Sequence, residues 1–391
     1  MDLTALFTAE RTRVLAAVMA RVGDLALAED VTQEAFAAAA EQWKTFPPNP
    51  KAWLLKVACN KAIDVARRRA RIHEVDDSQL LEHPVALPES DEELDDDRLR
   101  LVFTCCHPAL APEVQVALTL RTVAGVPTAA IARLFLVDEK AMAQRLVRAQ
   151  RKILDSKIAY RVPEPEAWPE RLAAVLAVVY LLFTQGHAAV EAESSEEAIR
   201  LARLLTELMP GEPDVLAMLA LLLLTDARRP ARTVDGVRVP LEEQDRSKWS
   251  AAQIIEGLAL VERAIGLGAR GSYVVQASIA ALHARASAPD QTDWPQIAGL
   301  YELLLEEQPT PVVRLNRAAA IAMVRGPMAG LEELEHLRRF LEHSSVFHAA
   351  RADLLRRLDR AAEAGTAYRT ALSLSTDDAE RAFLERRLKS L

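Results

Sequence analysis

The sequence predicts an all-α fold. Glycine is scarce, at 13 of 391 residues, and the helix-favouring residues Ala, Leu, Arg and Glu are abundant. Apolar residues recur at helical spacing in stretches such as LAAVLAVVYLLF and DVLAMLALLLLTDARR, and short segments with Pro or Gly separate these stretches. Because short connections join antiparallel neighbours, we expect packed pairs of helices.

Composition disfavours several classes of protein. Half of the residues are hydrophobic and 27% are charged, which is a globular balance. The N-terminal sequence MDLTALFTAERTRVL does not indicate a signal peptide, and no apolar run of 18 residues indicates a membrane segment, so a cytoplasmic location is expected. Cys59, Cys105 and Cys106 lack a second spaced pair of ligands, which favours buried thiols over a metal site. No phosphate loop, H-E-x-x-H motif or nucleophile pattern indicates an enzyme, and no cofactor is expected.

Charge divides the chain into segments. The overall net charge of −8 is made up of +3 over residues 1–72, −10 over residues 73–98, +6 over residues 99–161 and −7 over the remainder. The acidic strip contains two prolines and no helical apolar period, which is typical of a linker extended by its own charge. Two mildly basic modules are therefore predicted on either side of it.

The stretch EDVTQEAFAAAAEQW, which starts at Glu29, predicts a helix with one acidic face. At 100° per residue, its apolar side carries Thr32, Phe36, Ala39 and Trp43. A charged face opposite an apolar one is usually only the solvated side of a packed helix, so the pattern alone leaves its role open. The acidic face consists of Asp30, Gln33, Glu34 and Glu41.

A second helix is predicted from about Lys51 to Arg71, after three prolines that require a loop. Basic side chains next to an aromatic ring suit a nucleic-acid backbone with exposed bases. Basic residues near a helix C-terminus also complement the helix dipole, so both interpretations remain open. One face of this helix carries Trp53, Lys56, Asn60, Asp64, Arg67 and Arg71.

The second module has the pattern of a helix-turn-helix. A helix ends near Ala124, a short helix follows Pro127, and Asp138 is a natural N-cap for a longer helix from Glu139. The inner face of that helix consists of Met142, Leu146, Ala149 and Ile153. Its outer face consists of Lys140, Gln144, Arg148 and Arg151, with Arg145 and Lys152 beside it. Arg and Gln can contact base edges in the major groove, although a plain three-helix packing unit would show a similar pattern.

Taken together, these motifs resemble the extracytoplasmic-function sigma factors of the sigma-70 family. The resemblance covers roughly residues 1–158. It is carried by D-x-x-Q-E-x-F in the first helix, by W-x-x-x-x-A-x-N-x-x-x-D-x-x-R-R from Trp53 to Arg68, and by a helix-turn-helix that ends R-A-Q-R-K. One departure is that Leu55 and Lys56 stand where the family often has an aromatic or second basic residue, which leaves the group that wedges the duplex open.

The resemblance implies a role for each motif. The acidic face, Asp30, Gln33, Glu34 and Glu41, would dock on the clamp helices of the largest subunit of RNA polymerase. The loop from Phe46 to Lys51 and the following helix would bind and melt the −10 element of promoter DNA, using Phe46, Lys51, Trp53, Lys56, Asn60, Asp64, Arg67, Arg68 and Arg71. The helix-turn-helix would read the −35 element through Lys140, Gln144, Arg145, Arg148, Arg151 and Lys152.

The resemblance also implies a domain layout. Residues 1–72 would be sigma domain 2, residues 73–98 a flexible acidic linker, and residues 99–158 sigma domain 4. Residues 159–391 would be a helical regulatory domain similar to tetratricopeptide repeats, because Tyr301, Glu335 and Tyr368 recur 34 and 33 residues apart in comparable helix pairs. A subgroup of the family carries such an extension, including motifs like QDRSKW and LNRAAAIAMVRGP.

A solenoid of this kind usually binds a protein or peptide partner, and the extension is expected to regulate activity in that way. Its candidate regulatory site consists of Asp245, Arg246, Trp249, Asn316 and Arg317. The alternative is that these residues are buried bridges and caps between helices. For the whole chain, the alternatives to a sigma factor are a stand-alone helix-turn-helix regulator with a sensing solenoid and a helical interaction scaffold.

Overall fold

The computed structural model describes residues 3–43, 45–72, 91–135, 137–189 and 192–391. Within these ranges the chain forms 19 α-helices and one small two-stranded sheet, which confirms the predicted all-α class. The chain divides into two compact units, Met1–Leu208 and Met209–Leu391. The domain boundaries at residues 72 and 158 remain a prediction. Most of the acidic strip, residues 73–90, lies outside the described residues.

The described part of the first unit contains nine α-helices. They are α1 (Leu3–Val22), α2 (Leu25–Gln42), α3 (Pro50–Ile72), α4 (Asp91–Cys105), α5 (Pro112–Thr122), α6 (Thr128–Leu134), α7 (Glu139–Asp155), α8 (Trp168–Ala189) and α9 (Ala192–Leu208).

Helix α1 is the centre of the first unit. Its residues from Val14 to Met19 are almost completely buried, and α1 packs against α2, α3 and α4. Helices α5 and α8 extend this core through α4, where Phe103 is buried with its ring 5.2 Å from that of Trp168. Helices α8 and α9 pack on each other and on α4, so the first two helices of the predicted extension belong to this compact unit.

The predicted linker differs from the structure at its C-terminal end. The sequence analysis extends the linker to residue 98, whereas α4 begins at Asp91. Burial of Leu94 stabilises this helical turn, and Asp97 is also buried, with a side chain 3.6 Å from the guanidinium of Arg21. Leu94 is the one apolar residue within DEELDDDR, the stretch that begins at Asp91, so the sequence there shows no helical apolar period.

The second unit consists of ten helices. They are α10 (Pro213–Asp226), α11 (Ala251–Gly266), α12 (Ser272–Arg285), α13 (Trp294–Glu307), α14 (Pro311–Arg325), α15 (Pro327–Glu335), α16 (Arg338–Leu341), α17 (Ser345–Arg357), α18 (Ala361–Leu374) and α19 (Asp378–Lys389).

Helices of the second unit pack mainly on their neighbours in the chain, which confirms the predicted solenoid of helix pairs. Side-chain caps begin several of them, for example Ser250 for α11, Asp293 for α13 and Thr310 for α14. Helix α10 is buried on almost all sides and packs against both α11 and α12. The short α16 lies between α15 and α17 in the chain, and α15 packs on α17 across it.

A segment that the sequence analysis did not predict lies between α10 and α11. We name residues 229–250 the strap. It contains strands β1 (Thr233–Val234) and β2 (Val237–Arg238), which pair antiparallel around Asp235 and Gly236. Both turn residues have positive φ, 51° and 76°, as a tight hairpin turn requires, and the Asp-Gly pair is a recognised signal for such a turn.

The strap connects the first helices of the second unit to the last one. The guanidinium of Arg238 lies 3.3 Å from the carboxylate of Asp377, the N-cap of α19. Further along the strap, Glu243 forms ion pairs with Arg386 and Arg387 of α19. These ion pairs therefore connect the segment after α10, the first helix of the unit, to α19, its last helix. In a simple linear solenoid each repeat contacts only its neighbours.

The close contact between α14 and α15 generates a stability prediction. A Cβ atom on Gly330 would lie 2.5 Å from the Cβ of Ala322 and 3.0 Å from the carbonyl oxygen of Ala318. Gly330→Ala should therefore lower the free energy of unfolding by about 1–3 kcal/mol, through overpacking. Chemical denaturation of the full chain measures the change.

The matched control is Gly299→Ala in α13, where no heavy atom lies within 4 Å of the added Cβ. This substitution should raise the free energy of unfolding by about 0.5–1 kcal/mol, because Ala restricts the unfolded chain more than Gly does. Equal effects of the two substitutions would contradict the close approach of the two helices.

Candidate functional site

Helix α2 exposes the acidic face that the sequence predicts. The carboxylate of Asp24 accepts a hydrogen bond from the backbone N–H of Leu27 at 3.1 Å and starts the helix. Phe36 is buried, with its ring edge-on to that of Phe7 at 4.9 Å, and Thr32 is buried beside it. The opposite side is solvent-exposed and consists of Asp30, Gln33, Glu34 and Glu41.

Glu34 is the member of this face that has a partner among the described residues. Its carboxylate accepts a hydrogen bond from the ammonium of Lys61 at 2.6 Å. Because both side chains are exposed, this pair contributes little to stability. Asp30, Gln33 and Glu41 make no side-chain hydrogen bond or ion pair with any described residue, so they remain available to a partner.

Three aromatic rings cluster where the loop after α2 meets α3. The ring of Trp43 lies 5.4 Å from that of Phe46 and 5.0 Å from that of Trp53. Phe46 is 41% exposed, so the cluster opens to the surface. The side chain of Asn49 accepts a hydrogen bond from the backbone N–H of Ala52 at 3.0 Å, which fixes the end of the loop against α3.

The other residues predicted to contact the −10 element lie along α3. Lys51 and Trp53 are partly exposed, and Lys56, Asn60 and Asp64 are exposed. Leu55 is only 3% exposed and packs in the core, so its side chain is not at the surface that would face DNA. Three further predicted residues lie on the helix but have side chains outside the described part of the chain: Arg67, Arg68 and Arg71.

Helices α5, α6 and α7 form the predicted helix-turn-helix. Gly125 adopts a positive φ of 75° after α5, where a side chain would be strained. Asp138 caps α7 by accepting a hydrogen bond from the backbone N–H of Ala141 at 3.0 Å, as predicted. The buried residues of α7 are also those predicted: Met142, Leu146, Ala149 and Ile153.

The outer face of α7 is cationic and solvent-exposed. Arg151 lies 3.5 Å from Asp155, and the ammonium of Lys152 donates to the carbonyl of Ala109 at 2.5 Å, so these two side chains have partners within the protein. The six predicted residues are all exposed: Lys140, Gln144, Arg145, Arg148, Arg151 and Lys152.

A cavity of about 580 Å³ lies beside this face, between α5 and α7. Its lining is mostly apolar and includes Val114, Phe135 and Leu146, whereas Arg145 and Lys152 contribute charge. The face that carries the candidate DNA contacts is therefore continuous with an apolar groove.

Sequence reasoning missed a buried polar contact between α2 and the helix-turn-helix. Glu29 accepts hydrogen bonds from the hydroxyl of Thr122 at 3.0 Å and from the side-chain amide of Gln150 at 2.9 Å. Glu29 is only 7% exposed. It directly precedes the acidic face in the sequence, but it stands three residues before Thr32 and seven before Phe36, which places it on the apolar side of α2. That spacing was the available signal for its burial.

The candidate regulatory residues in the strap form local structural contacts. Asp245 caps a short turn by accepting a hydrogen bond from the backbone N–H of Ser247 at 3.0 Å. The guanidinium of Arg246 donates to the carbonyl of Ala286 at 2.6 Å and stacks over the buried ring of Trp249 at 4.6 Å. These contacts fit the alternative in which the motif bridges helices.

The other two candidate regulatory residues lie on α14. Arg317 forms ion pairs with Glu302 at 2.7 Å and Glu333 at 2.9 Å, which connects α14 to α13 and α15. Asn316 is exposed. The contacts of Arg317 are again those of a bridge between helices.

A cavity of about 310 Å³ lies between the strap and helices α12 to α14. Trp294 and Met323 give it an apolar wall, and Arg246, Glu242 and Asp290 place charged groups of both signs around it. His283 also lines it. Burial, with the nearby charges of Arg228 and Arg246, lowers the pKa of His283 to about 4. His283 is therefore neutral at pH 7.

The cysteines are buried thiols. Burial raises the pKa of Cys105 well above its ordinary value and that of Cys106 to about 11, so both thiols stay protonated at neutral pH. The described ranges contain no group of three or more His, Cys, Asp or Glu side chains arranged to hold a metal ion. No helix in those ranges is both long and apolar enough to cross a membrane.

Three family models match the chain. Residues 6–72 match the model described as Sigma-70 region 2, and residues 100–153 match the model described as Sigma-70, region 4. Residues 171–265 match a family of unknown function, DUF6596. The first two matches cover the acidic face, the aromatic cluster and the helix-turn-helix.

The chain is also similar to a protein of known sequence and to a solved structure. The chain is 41% identical over 399 residues to an uncharacterized protein, R00370, of Rhizobium meliloti (strain 1021), covering 97% of this chain and 94% of that protein. The crystal structure of the P58(IPK) TPR domain aligns over 97% of this chain and 98% of that chain, with 13% identity and a TM-score of 0.25. Similarity at that level supports no conclusion, so the solenoid is described from its own helix contacts.

The lowered pKa of His283 predicts how stability depends on pH. Between pH 6.5 and 4 the unfolded chain binds a proton at this residue and the folded chain does not, so the free energy of unfolding falls as the pH falls. His283 should account for a loss of about 2 kcal/mol between pH 7 and pH 5. His283→Gln should reduce the loss by that amount, as measured by chemical denaturation at both pH values.

The control is His343→Gln, which changes a histidine whose side chain is 88% exposed. The two variants are compared with the wild-type chain under identical conditions. An unchanged pH dependence in His283→Gln would show that this histidine is not held neutral by the fold.

Proposed function

Because the chain belongs to the sigma-70 family, as a sigma factor of the extracytoplasmic-function type, we propose a specific role for each exposed face of its first unit. A sigma factor directs transcription initiation by binding core RNA polymerase and promoter DNA. The acidic face of α2 docks on the clamp helices of the largest polymerase subunit. This proposal rests on one observation: Asp30, Gln33 and Glu41 are exposed on one face and have no partner among the described residues.

The aromatic cluster and α3 bind the −10 element. Opening a duplex costs a few kcal/mol per unstacked base, and stacking on an aromatic ring offsets part of that cost. Phe46 is exposed at the mouth of the cluster and contacts Trp43 with its ring tilted by 58°, so it supplies a surface for an extruded base. Because Leu55 is buried, Trp53 and Lys56 are the groups at this position that reach the duplex.

The remaining −10 contacts follow along α3. Asn60 supplies an amide for a base edge or phosphate, and Lys51 supplies positive charge near the loop. The basic end of the helix, Arg67, Arg68 and Arg71, holds phosphates. Asp64 is exposed on the same face of α3.

Helix α7 enters the major groove at the −35 element. Gln144 and Arg148 are exposed and suited to bidentate contacts with base edges. Lys140, Arg145 and Arg151 contact the flanking phosphates. Lys152 holds the carbonyl of Ala109 and positions the loop before α5 while it faces the same side.

The second unit regulates this activity by binding a protein or peptide partner. The protein works in the cytoplasm, where core polymerase and promoter DNA are found. The cavity beneath the strap has an apolar wall and charged groups of both signs, which supports a partner site there. The polymerase catalyses RNA synthesis from the promoter. The chain therefore acts as a regulatory protein without an active site of its own.

Charge reversal on the acidic face tests the docking proposal. Asp30→Lys combined with Glu41→Lys leaves the ion pair between Glu34 and Lys61 intact. We expect core polymerase binding to weaken by at least about a hundredfold, because like charges placed together across an interface cost several kcal/mol. Affinity is measured with purified core polymerase, and circular dichroism checks that the helices are retained.

The matched control reverses two exposed acidic residues outside α2, with Asp96→Lys and Glu166→Lys. This variant has the same net charge and should bind core polymerase like the wild-type chain. Equal loss in both double variants would assign the effect to net charge alone and contradict a docking face.

Substitutions on α7 test the −35 proposal. Gln144→Ala and Arg148→Ala should each remove discrimination at one base pair, worth about 1–3 kcal/mol. Arg145→Ala should instead weaken binding to all sequences about equally, since a phosphate contact carries no sequence information. Holoenzyme binding to a promoter library randomised in the −35 element measures both effects. Uniform loss for all three variants would show that the chosen face of α7 does not read bases.

A further inference from the structure

Two cavities in the second unit share part of their lining. The larger one lies beneath the strap and has a volume of about 310 Å³, and the smaller one lies between α14 and α17 and has a volume of about 160 Å³. Glu242, Trp294 and Met323 line both of them, so the two cavities adjoin. Pockets for small organic molecules usually measure about 300–1,000 Å³. The pair therefore has room for a small molecule.

Three residues that line the larger cavity each have a buried nitrogen atom without a hydrogen-bond partner among the described residues. These atoms are Nε of Arg246, Nδ1 of His283 and Nε1 of Trp294. The nitrogens of arginine and tryptophan can only donate, and the neutral imidazole of His283 can donate from Nδ1. Because a buried donor without an acceptor is unfavourable, this wall favours an occupant that brings acceptor oxygens.

The positive charge at this wall has no counterion among the described residues. Neither Arg246 nor Arg228 forms an ion pair with a described carboxylate. Burial lowers the pKa of Arg228 to about 10, and repulsion by Arg246 contributes to this, so the two guanidinium groups lie near each other. The charge of Arg228 also acts on His283. A carboxylate bound here would supply the missing negative charge.

The same cavity also carries two carboxylates without partners among the described residues. Glu242 of the strap and Asp290 before α13 are exposed, and neither side chain forms an ion pair or a hydrogen bond with a described residue. These carboxylates would repel a simple acid. A molecule with an ammonium group beside its carboxylate instead finds an opposite charge for each of its own.

The smaller cavity is mostly apolar. Besides Glu242, its charged residues are Asp353 and Arg357. Asp353 is paired with Arg356 at 2.6 Å, and the guanidinium of Arg357 lies 3.6 Å from the sulfur of Met323. An apolar group that enters this cavity from the larger one is removed from water. The remaining lining comes from aliphatic side chains of α14, α15 and α17: Leu315, Ala319, Leu334, Ala350 and Leu354.

We propose that the two cavities together bind a free α-amino acid with a bulky apolar side chain. Its carboxylate accepts hydrogen bonds from Arg246, His283 and Trp294. Its ammonium group faces Glu242 and Asp290, and its side chain enters the smaller cavity. This deepens the proposed function, in which the cavity beneath the strap is a partner site, and it rests on that function only for the regulatory meaning of the site.

Isothermal titration calorimetry of the free, full-length chain tests the site. The probes are L-leucine, L-methionine, L-phenylalanine and L-tryptophan, and glycine is the probe that lacks an apolar side chain. At least one of the four should bind about tenfold or more tightly than glycine, because its side chain is buried in the smaller cavity. No binding by any of the four, or equal binding of glycine, would overturn the proposal.

Two analogues of the tightest of these amino acids separate its charged groups. The deamino acid lacks the ammonium group, and the decarboxylated amine lacks the carboxylate; for L-phenylalanine they are hydrocinnamate and phenethylamine. Each should bind about tenfold or more weakly than the amino acid, since each loses hydrogen bonds between charged groups. Equal binding of the deamino acid would indicate a site for the C-terminus of a peptide, and equal binding of the amine a site for a cation. Either result would contradict an amino-acid site.

Substitutions in the wall assign each charged group of the ligand to its side of the cavity. Trp294→Phe keeps an aromatic ring and removes a donor that has no described partner in the free protein. It should weaken binding of the amino acid and of the deamino acid about tenfold, and leave the amine unchanged. Glu242→Gln combined with Asp290→Asn should weaken the amino acid and the amine about threefold to tenfold, but not the deamino acid.

The matched control is Glu306→Gln combined with Glu307→Gln, which changes the net charge equally at exposed positions of α13 that line neither cavity. It should bind the amino acid like the wild-type chain, and equal loss in both double variants would refute direct contact. Circular dichroism checks that every variant is folded. Because calorimetry uses neither polymerase nor promoter, failure to bind amino acids is separate from failure of the proposed function, which polymerase binding reports.

Discussion

Glu29 is a charged side chain that the fold buries and satisfies with donors from distant parts of the chain. A buried carboxylate without partners is strongly unfavourable, so its position is tolerated only because Thr122 and Gln150 donate to it and Arg11 lies nearby. Helices α2, α5 and α7, which meet at Glu29, carry the acidic face, the start of the helix-turn-helix and the candidate −35 contacts. The buried carboxylate therefore fixes how α2 meets the helix-turn-helix, within a unit whose apolar core surrounds α1.

The Glu29 contact lies beside an apolar core that runs through the first unit. Helix α4 packs on α1, α5 and α8, and Leu101, Phe103 and Leu118 are almost completely buried. The polar contact therefore adds to an apolar interface and does not replace one.

Local patterns were enough to predict much of the structure. The faces of α2 and α7 and the cap at Asp138 depend on helical spacing and on one adjacent residue, and the structure agrees with them. The burial of Leu94 and the identity of the distant partners of Glu29 depend on which helices meet, which spacing does not record. The hairpin at Asp235 had a visible Asp-Gly signal, but the abundance of helical pattern around it obscured a strand pair only two residues long.

The strap distinguishes the second unit from a linear solenoid, because it connects the first helices of the unit to the last one. Arrays of stacked repeats usually vary freely in length, because an added or deleted repeat alters contacts with its immediate neighbours only. Here Arg238 and Glu243 must reach α19 from the segment after α10, and a strap of fixed length can do so only across a fixed number of intervening helices. Insertion or loss of a helix pair would therefore leave these ion pairs unmade, so this family is expected to diverge by substitution within its helices while their number stays constant.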